Sequence, residues 1–104
     1  MQFTTQPHGQ LTDEFLITRI AQGDVSALEI LYDRHAPTVL GIALKVIGDR
    51  ALAENLLQET FWQVWQSASM YRPEGGSFTS WLFRMARQLA INAHAQQGTI
   101  KSGR

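Results

Sequence analysis

The chain contains no cysteine, which excludes disulfides and thiolate metal sites and fits a reducing cytoplasm. Residues 1–10 have no cationic start and no long apolar run, so no secretory signal is expected there. No window reaches the roughly 18 uninterrupted apolar residues that a membrane span needs, and no membrane insertion is expected. Strand-like alternation of useful length is missing, as are internal repeats and low-complexity tracts. What is present is 104 residues, of which 44% are apolar and 17% charged. That is a globular composition of one domain's length, able to bury a core without staples, and a cytoplasmic location is expected.

Net charge is zero, but it is unevenly placed. Residues 1–69 carry eight acids and four bases, a balance of −4, while residues 70–104 carry one acid and five bases, a balance of +4. A chain so divided can serve two partners of opposite character.

The pattern predicts an all-α fold of four helices. Residues 1–11 are expected to form a flexible arm, 12–95 the helical domain, and 96–104 a linker or tail. Thr12 caps a first helix, with Asp13 and Glu14 at its positive dipole end. Leu11 and Leu16 are placed to staple its start. Gly23 closes that helix and Asp24 caps a second, Val25 to Ile47, where Leu28, Leu31, Tyr32, Val39, Ile42 and Val46 form an apolar stripe. Pro37 removes one hydrogen bond inside it and predicts a kink near residues 33–36. Gly48 and Asp49 repeat the stop-and-cap device. The third helix runs from Arg50 to about Ser69. At 100° per residue, Ala53, Leu56, Leu57, Thr60, Phe61, Val64 and Ala68 share its core face. A breaker loop follows, with Pro73 and Gly75-Gly76. Ser77 caps a fourth helix, expected to fray after Ala95.

Two constellations stand out. The polar face of the third helix holds Glu54, Asn55, Gln58, Glu59 and Trp62. A tryptophan in the middle of a polar face is the kind of residue that anchors protein interfaces, although Trp62 could also tuck sideways into the core. The second constellation is the loop Tyr71 to Ser77 together with the fourth helix. Phe78, Leu82, Met85, Leu89 and Ala93 line one helix face as core. The opposite face holds Phe83, Arg84, Arg87, Ile91 and His94. Arginines beside aromatics suit single-stranded nucleic acid, because guanidinium groups hold phosphates and rings accept unstacked bases. The glycine pair would let backbone N–H groups approach a ligand. An ordinary amphipathic helix with a solvated face gives the same pattern.

Other chemistry lacks support. His8, His35 and His94 have no mutual metal-ligand spacing, no nucleophile, base and orienter form a set, and Gly75-Gly76 lacks the context of a phosphate loop. Neither a metal nor another cofactor is expected, and neither is enzyme activity.

Three motifs resemble one known family, the extracytoplasmic-function sigma factors. Residues 31–37, Leu-Tyr-Asp-Arg-His-Ala-Pro, look like the start of their region two. Residues 48–61, Gly-Asp-Arg-Ala-Leu-Ala-Glu-Asn-Leu-Leu-Gln-Glu-Thr-Phe, resemble their polymerase-binding motif. Residues 78–87, Phe-Thr-Ser-Trp-Leu-Phe-Arg-Met-Ala-Arg, are similar to the start of their promoter-reading helix. The resemblance spans residues 12 to 95 and implies a sigma region 2 type bundle with a role in transcription initiation. It further implies that Glu54, Asn55, Gln58, Glu59 and Trp62 dock on the clamp of the RNA polymerase largest subunit. By the same resemblance, Tyr71, Arg72, Ser77 and Phe78 hold a flipped base of the −10 element. The resemblance likewise implies that Phe83, Arg84, Arg87, Ile91 and His94 contact the non-template strand of promoter DNA. An anti-sigma factor is an implied further partner.

The chain departs from the family pattern in three ways. Asn55 stands where aspartate is common. The end of the fourth helix, Asn92-Ala93-His94-Ala95-Gln96-Gln97, lacks the usual arginines. The second domain, which reads the −35 element, is missing, as expected either of a fragment or of a single-domain variant. A protein-binding module without DNA function, retaining only the docking face, is the alternative reading.

Overall fold

The computed structural model describes residues 11–102, with side chains described for residues 11–96. Four helices carry the fold: α1 (Asp13–Ala21), α2 (Val25–Ile47), α3 (Arg50–Ser67) and α4 (Phe78–Ser102). No strand occurs among the described residues.

Each of the first three helices starts on the expected cap. The Thr12 side chain accepts from the Phe15 N–H at 3.0 Å. Asp24 accepts from the Ser26 and Ala27 N–H groups at 3.0 and 3.3 Å. Asp49 accepts from the Leu52 N–H at 3.1 Å. The glycines before the two aspartates have φ of +91° at Gly23 and +73° at Gly48, a left-handed backbone that side chains disfavour. Helix α2 runs on through Pro37, whose missing N–H leaves the Asp33 carbonyl without its helical partner.

Helix α2 is the central element, packed against α1, α3 and α4. One buried cluster joins Leu16, Ile17 and Ile20 of α1 to Leu31 and Val39 of α2, Phe61 and Val64 of α3, and Phe78 and Leu82 of α4. A second, of Ala43, Ala53, Leu56 and Ala90, closes the other end, where small side chains let α2, α3 and α4 approach closely. Burying a large aliphatic or aromatic side chain contributes about 1.5–3 kcal/mol, and the largest such side chains that are fully enclosed include Phe78, Leu31 and Leu82. The core face expected of α3 is buried in full. The one buried polar residue on it, Thr60, donates its hydroxyl to the Leu56 carbonyl at 2.7 Å, so nothing is left unpaired there.

Several expectations need correction. Leu11 belongs to the domain and not to an arm: it packs against the core, and its carbonyl accepts from Arg34 at 2.9 Å. The rest of the expected arm lies outside the described residues. Helix α3 ends at Ser67 in a 3-10 turn, Ala68–Met70. Helix α4 continues past residue 95 to Ser102, across the boundary expected for a tail. Gln96 and Gln97 are good helix formers, and the single Gly98 costs only about 1 kcal/mol. Along α4 the buried line is Phe78, Leu82, Ala86 and Ala90, with Met85, Leu89 and Ala93 half-buried beside it. Alanines occupy the closest helix approach, and the larger residues flank it.

Candidate nucleic-acid interface and docking face

Two residues of α2 tie the start of α1 to the bundle. The Arg34 guanidinium donates to Asp13 at 2.8 Å, and His35 Nε2 lies 3.0 Å from the other Asp13 oxygen. The His35 ring also packs against Phe78 and Phe83 of α4, with centroids 5.8 and 6.0 Å away.

On α3, Glu54, Asn55, Gln58, Glu59 and Trp62 are all exposed. Trp62 is 59% accessible, so it does not tuck into the core. The five residues straddle two grooves. Gln58 and Trp62 line one of about 280 Å³ with Leu28, Glu29, Tyr32 and Phe61. Asn55 and Glu59 line another of about 250 Å³ with Ile47, Leu52, Leu56, Ala93 and Gln96. Glu54 is held by Arg50 at 3.0 Å, an exposed pair four residues apart of the kind that contributes little. The face is therefore acidic and amide-rich, with one aromatic projecting beside an apolar groove.

The loop between α3 and α4 is built on three aromatic rings. Tyr71, Phe78 and Trp81 meet pairwise at 5.5–6.1 Å, the separation at which tilted rings attract. The Tyr71 hydroxyl donates to the Gly76 carbonyl at 2.8 Å, and burial and then the nearby Glu14 carboxylate push its pKa above the ordinary tyrosine value. Between these anchors the chain makes a 3-10 turn, Pro73–Gly75. Gly76 follows with φ +131°, a conformation for which glycine is suited. Against this loop lies a pocket of about 160 Å³ lined by Met70, Tyr71, Arg72, Gly75, Gly76, Trp81 and Arg84. A cavity of about 150 Å³ is enough for a benzene ring.

The structure thus gathers Tyr71, Arg72 and Arg84 at one pocket and leaves others out of it. Phe78 is fully enclosed and supports the loop from below, where no base can stack on it. Tyr71 is buried as well. Phe83 is half-buried against the His35 ring of α2, so it does not belong to the open outer face. The Ser77 hydroxyl caps α4 by accepting from the Ser80 N–H at 3.2 Å. The Arg72 guanidinium donates to the Ser69 and Tyr71 carbonyls at 2.9 and 3.2 Å. Nor does the glycine pair present free N–H groups, since Gly75 donates to Arg72 and Gly76 to Pro73. Arg84, Arg87, Ile91 and His94 are exposed along α4, and neither arginine has an ion-pair partner among the described residues. Met70, 71% exposed, and half-buried Trp81 are pocket residues that sequence reasoning did not single out. The signal for Trp81 was its position three residues after Phe78, one helical turn above the loop.

The model of sigma-70 region 2 matches residues 31–100. The chain belongs to the sigma-70 region 2 family. Among curated relatives of this sigma family member, the ECF RNA polymerase sigma factor SigK of Mycobacterium sp. (strain KMS) is 35% identical over 79 residues, 76% of this chain and 41% of the relative. The RNA polymerase sigma factor CarQ of Myxococcus xanthus is 40% identical over 79 residues, 76% of this chain and 45% of the relative. The chain spans less than half the length of these relatives. An NMR structure of an engineered region 2 of sigmaE in complex with GTAAAA superimposes with a TM-score of 0.76 at 27% identity, covering 86% of this chain and 92% of that one. No helix among the described residues is long and apolar enough to cross a membrane, and no cluster there could hold a metal ion.

Proposed function

We propose that this domain acts in transcription initiation, docking on the RNA polymerase clamp through α3 and capturing the melted −10 strand at the loop before α4. The observation that carries the reading is the ring-sized pocket where Met70 and Trp81 supply apolar walls and Arg72 and Arg84 supply cations. The sigmaE region 2 neighbour, bound to a short strand, supports the same assignment. Unpairing a base costs a few kcal/mol, and binding the exposed base offsets that cost. The base inserts beside Trp81 while the phosphates on either side meet Arg84 and Arg87. The role needs no covalent chemistry, and the chain is read as a non-enzymatic factor working in the cytoplasm with polymerase.

Docking rests on the exposed Trp62 beside its apolar groove. The acidic character of the face suits a basic partner surface. An anti-sigma factor would occupy the same face, so inhibitor and polymerase would compete, and a stable ternary complex of the three would contradict that assignment.

One observation favours the narrower reading of a docking module without DNA function. Beyond Arg87 the outer face of α4 carries Ile91, Asn92 and His94 and no further arginine within the residues whose side chains are described. The two readings separate in one titration. The single-stranded hexamer GTAAAA, labelled and titrated with the chain in the presence of polymerase core, gains anisotropy if the strand is captured. If only polymerase binds, the docking module stands alone.

A further inference from the structure

Helix α1 lies outside every motif that carries the family resemblance, yet one of its side chains reaches the strand-binding loop. The Glu14 carboxylate accepts from the Phe78 N–H at 3.0 Å, across 64 residues of sequence. That N–H is the first of the orphan donors at the start of α4. The Ser77 hydroxyl takes the Ser80 N–H and the Ser77 carbonyl takes the Trp81 N–H. Glu14 also sits beside Tyr71 and Pro73 along the back of the loop, and its charge acts on the Tyr71 hydroxyl.

The positive end of α4 is therefore filled by a carboxylate of the protein itself, which competes with any incoming phosphate there. The same contact holds the first residue of the helix that carries Trp81 and Arg84 to the pocket. From one side Tyr71 holds Gly76, and from the other Glu14 holds Phe78. The two residues held lie two apart, on either side of Ser77.

We propose that Glu14 is a positioning residue for strand capture: from α1 it clamps the first turn of α4 so that the pocket keeps its shape for a base. The inference rests on the strand-capture reading above. It separates α1 from a merely packing role, since Leu16, Ile17 and Ile20 already supply the packing.

The test compares Glu14→Ala, Glu14→Gln and Thr12→Ala in the full chain with polymerase core present. Each is titrated against GTAAAA and against hexamers with one base replaced. Glu14→Ala loses the hydrogen bond and the charge, and base discrimination is expected to fall about tenfold, the scale of one charge-assisted hydrogen bond. Glu14→Gln keeps an acceptor and is expected to retain most of the discrimination. Thr12→Ala weakens the α1 cap without touching the loop, and is expected to lower Tm while leaving discrimination unchanged. Amide exchange at Phe78 is expected to quicken in Glu14→Ala alone. Parental discrimination in Glu14→Ala overturns the inference while leaving strand capture intact, as does an equal loss in Thr12→Ala. A parent chain with no base preference overturns both, and quickened exchange at Phe78 would then mark Glu14 as purely structural.

Discussion

The Tyr71 hydroxyl sits 2.8 Å from the carbonyl oxygen of Gly76 and closes a five-residue span of backbone with one side-chain bond. Part of the pocket hangs from this closure, because Tyr71, Arg72, Gly75 and Gly76 lie within it or at its edge, while Met70, Trp81 and Arg84 come from outside it.

Replacing Tyr71 by Phe removes the bond and keeps the ring contacts with Phe78 and Trp81. A loss of about 1 kcal/mol is expected. The alkaline behaviour is more diagnostic. Burial and Glu14 raise the Tyr71 pKa in the folded state, so the fold favours the protonated phenol. The associated stability is fully present below the unfolded tyrosine pKa of about 10 and is lost as pH rises through the higher folded value. Chemical denaturation across that window, followed with tyrosinate absorbance, should show a steeper alkaline loss in the parent than in Tyr71→Phe.

Phe78→Ala should unfold the domain more readily without acting as a DNA-contact mutation. The ring is fully enclosed, and truncation of such a residue costs about 3–5 kcal/mol. Thermal melting checks the stability. At a temperature where the variant is still folded, its salt dependence of strand binding should equal the parent's.

Trp62→Ala and Glu59→Lys should each weaken polymerase-clamp binding and leave Tm near the parental value. Both side chains are exposed on α3. Loss of a tryptophan anchor is worth about 2 kcal/mol or more when it sits at an interface centre, roughly thirtyfold in Kd. Parental affinity in both variants would move the interface off this face.

Arg84→Ala and Arg87→Ala should weaken all strands alike and make the salt dependence shallower. Each phosphate contact on a single strand contributes about −0.7 to the slope of log affinity against log salt. Titrations at several salt concentrations give the slope. An unchanged slope in both variants would mean that neither arginine meets a phosphate.

Much of this architecture was legible because it is local. Gly23-Asp24 and Gly48-Asp49 mark helix boundaries by backbone conformation and capping within four residues, and the α3 core face follows from its 3.6-residue period. What was hidden is long-range. Asp13 and Glu14 look like dipole-favoured acids of one helix, yet their partners are Arg34 and His35 of α2 and the Phe78 N–H of α4. Periodicity also placed Phe83 on the outer face of α4, since it knows nothing of the His35 ring of α2 that packs against it. The family resemblance implied a base-holding role for Tyr71 and Phe78, whereas helical spacing placed Phe78 on the core face, where it lies. Their rings instead found each other and Trp81, and that clustering places Trp81 at the pocket.

Strand capture itself is most directly tested by fluorescence anisotropy on matched single- and double-stranded forms of one −10 sequence, with polymerase core present and Trp81→Ala as the comparison. Tighter binding to the unpaired strand is expected, because a base reaches the pocket only when it has left its partner. Removing Trp81 is expected to lower affinity on the order of the 1–3 kcal/mol that one stacked base supplies. Equal affinity for duplex and single strand, with Trp81→Ala indistinguishable from the parent, would contradict strand capture at this pocket.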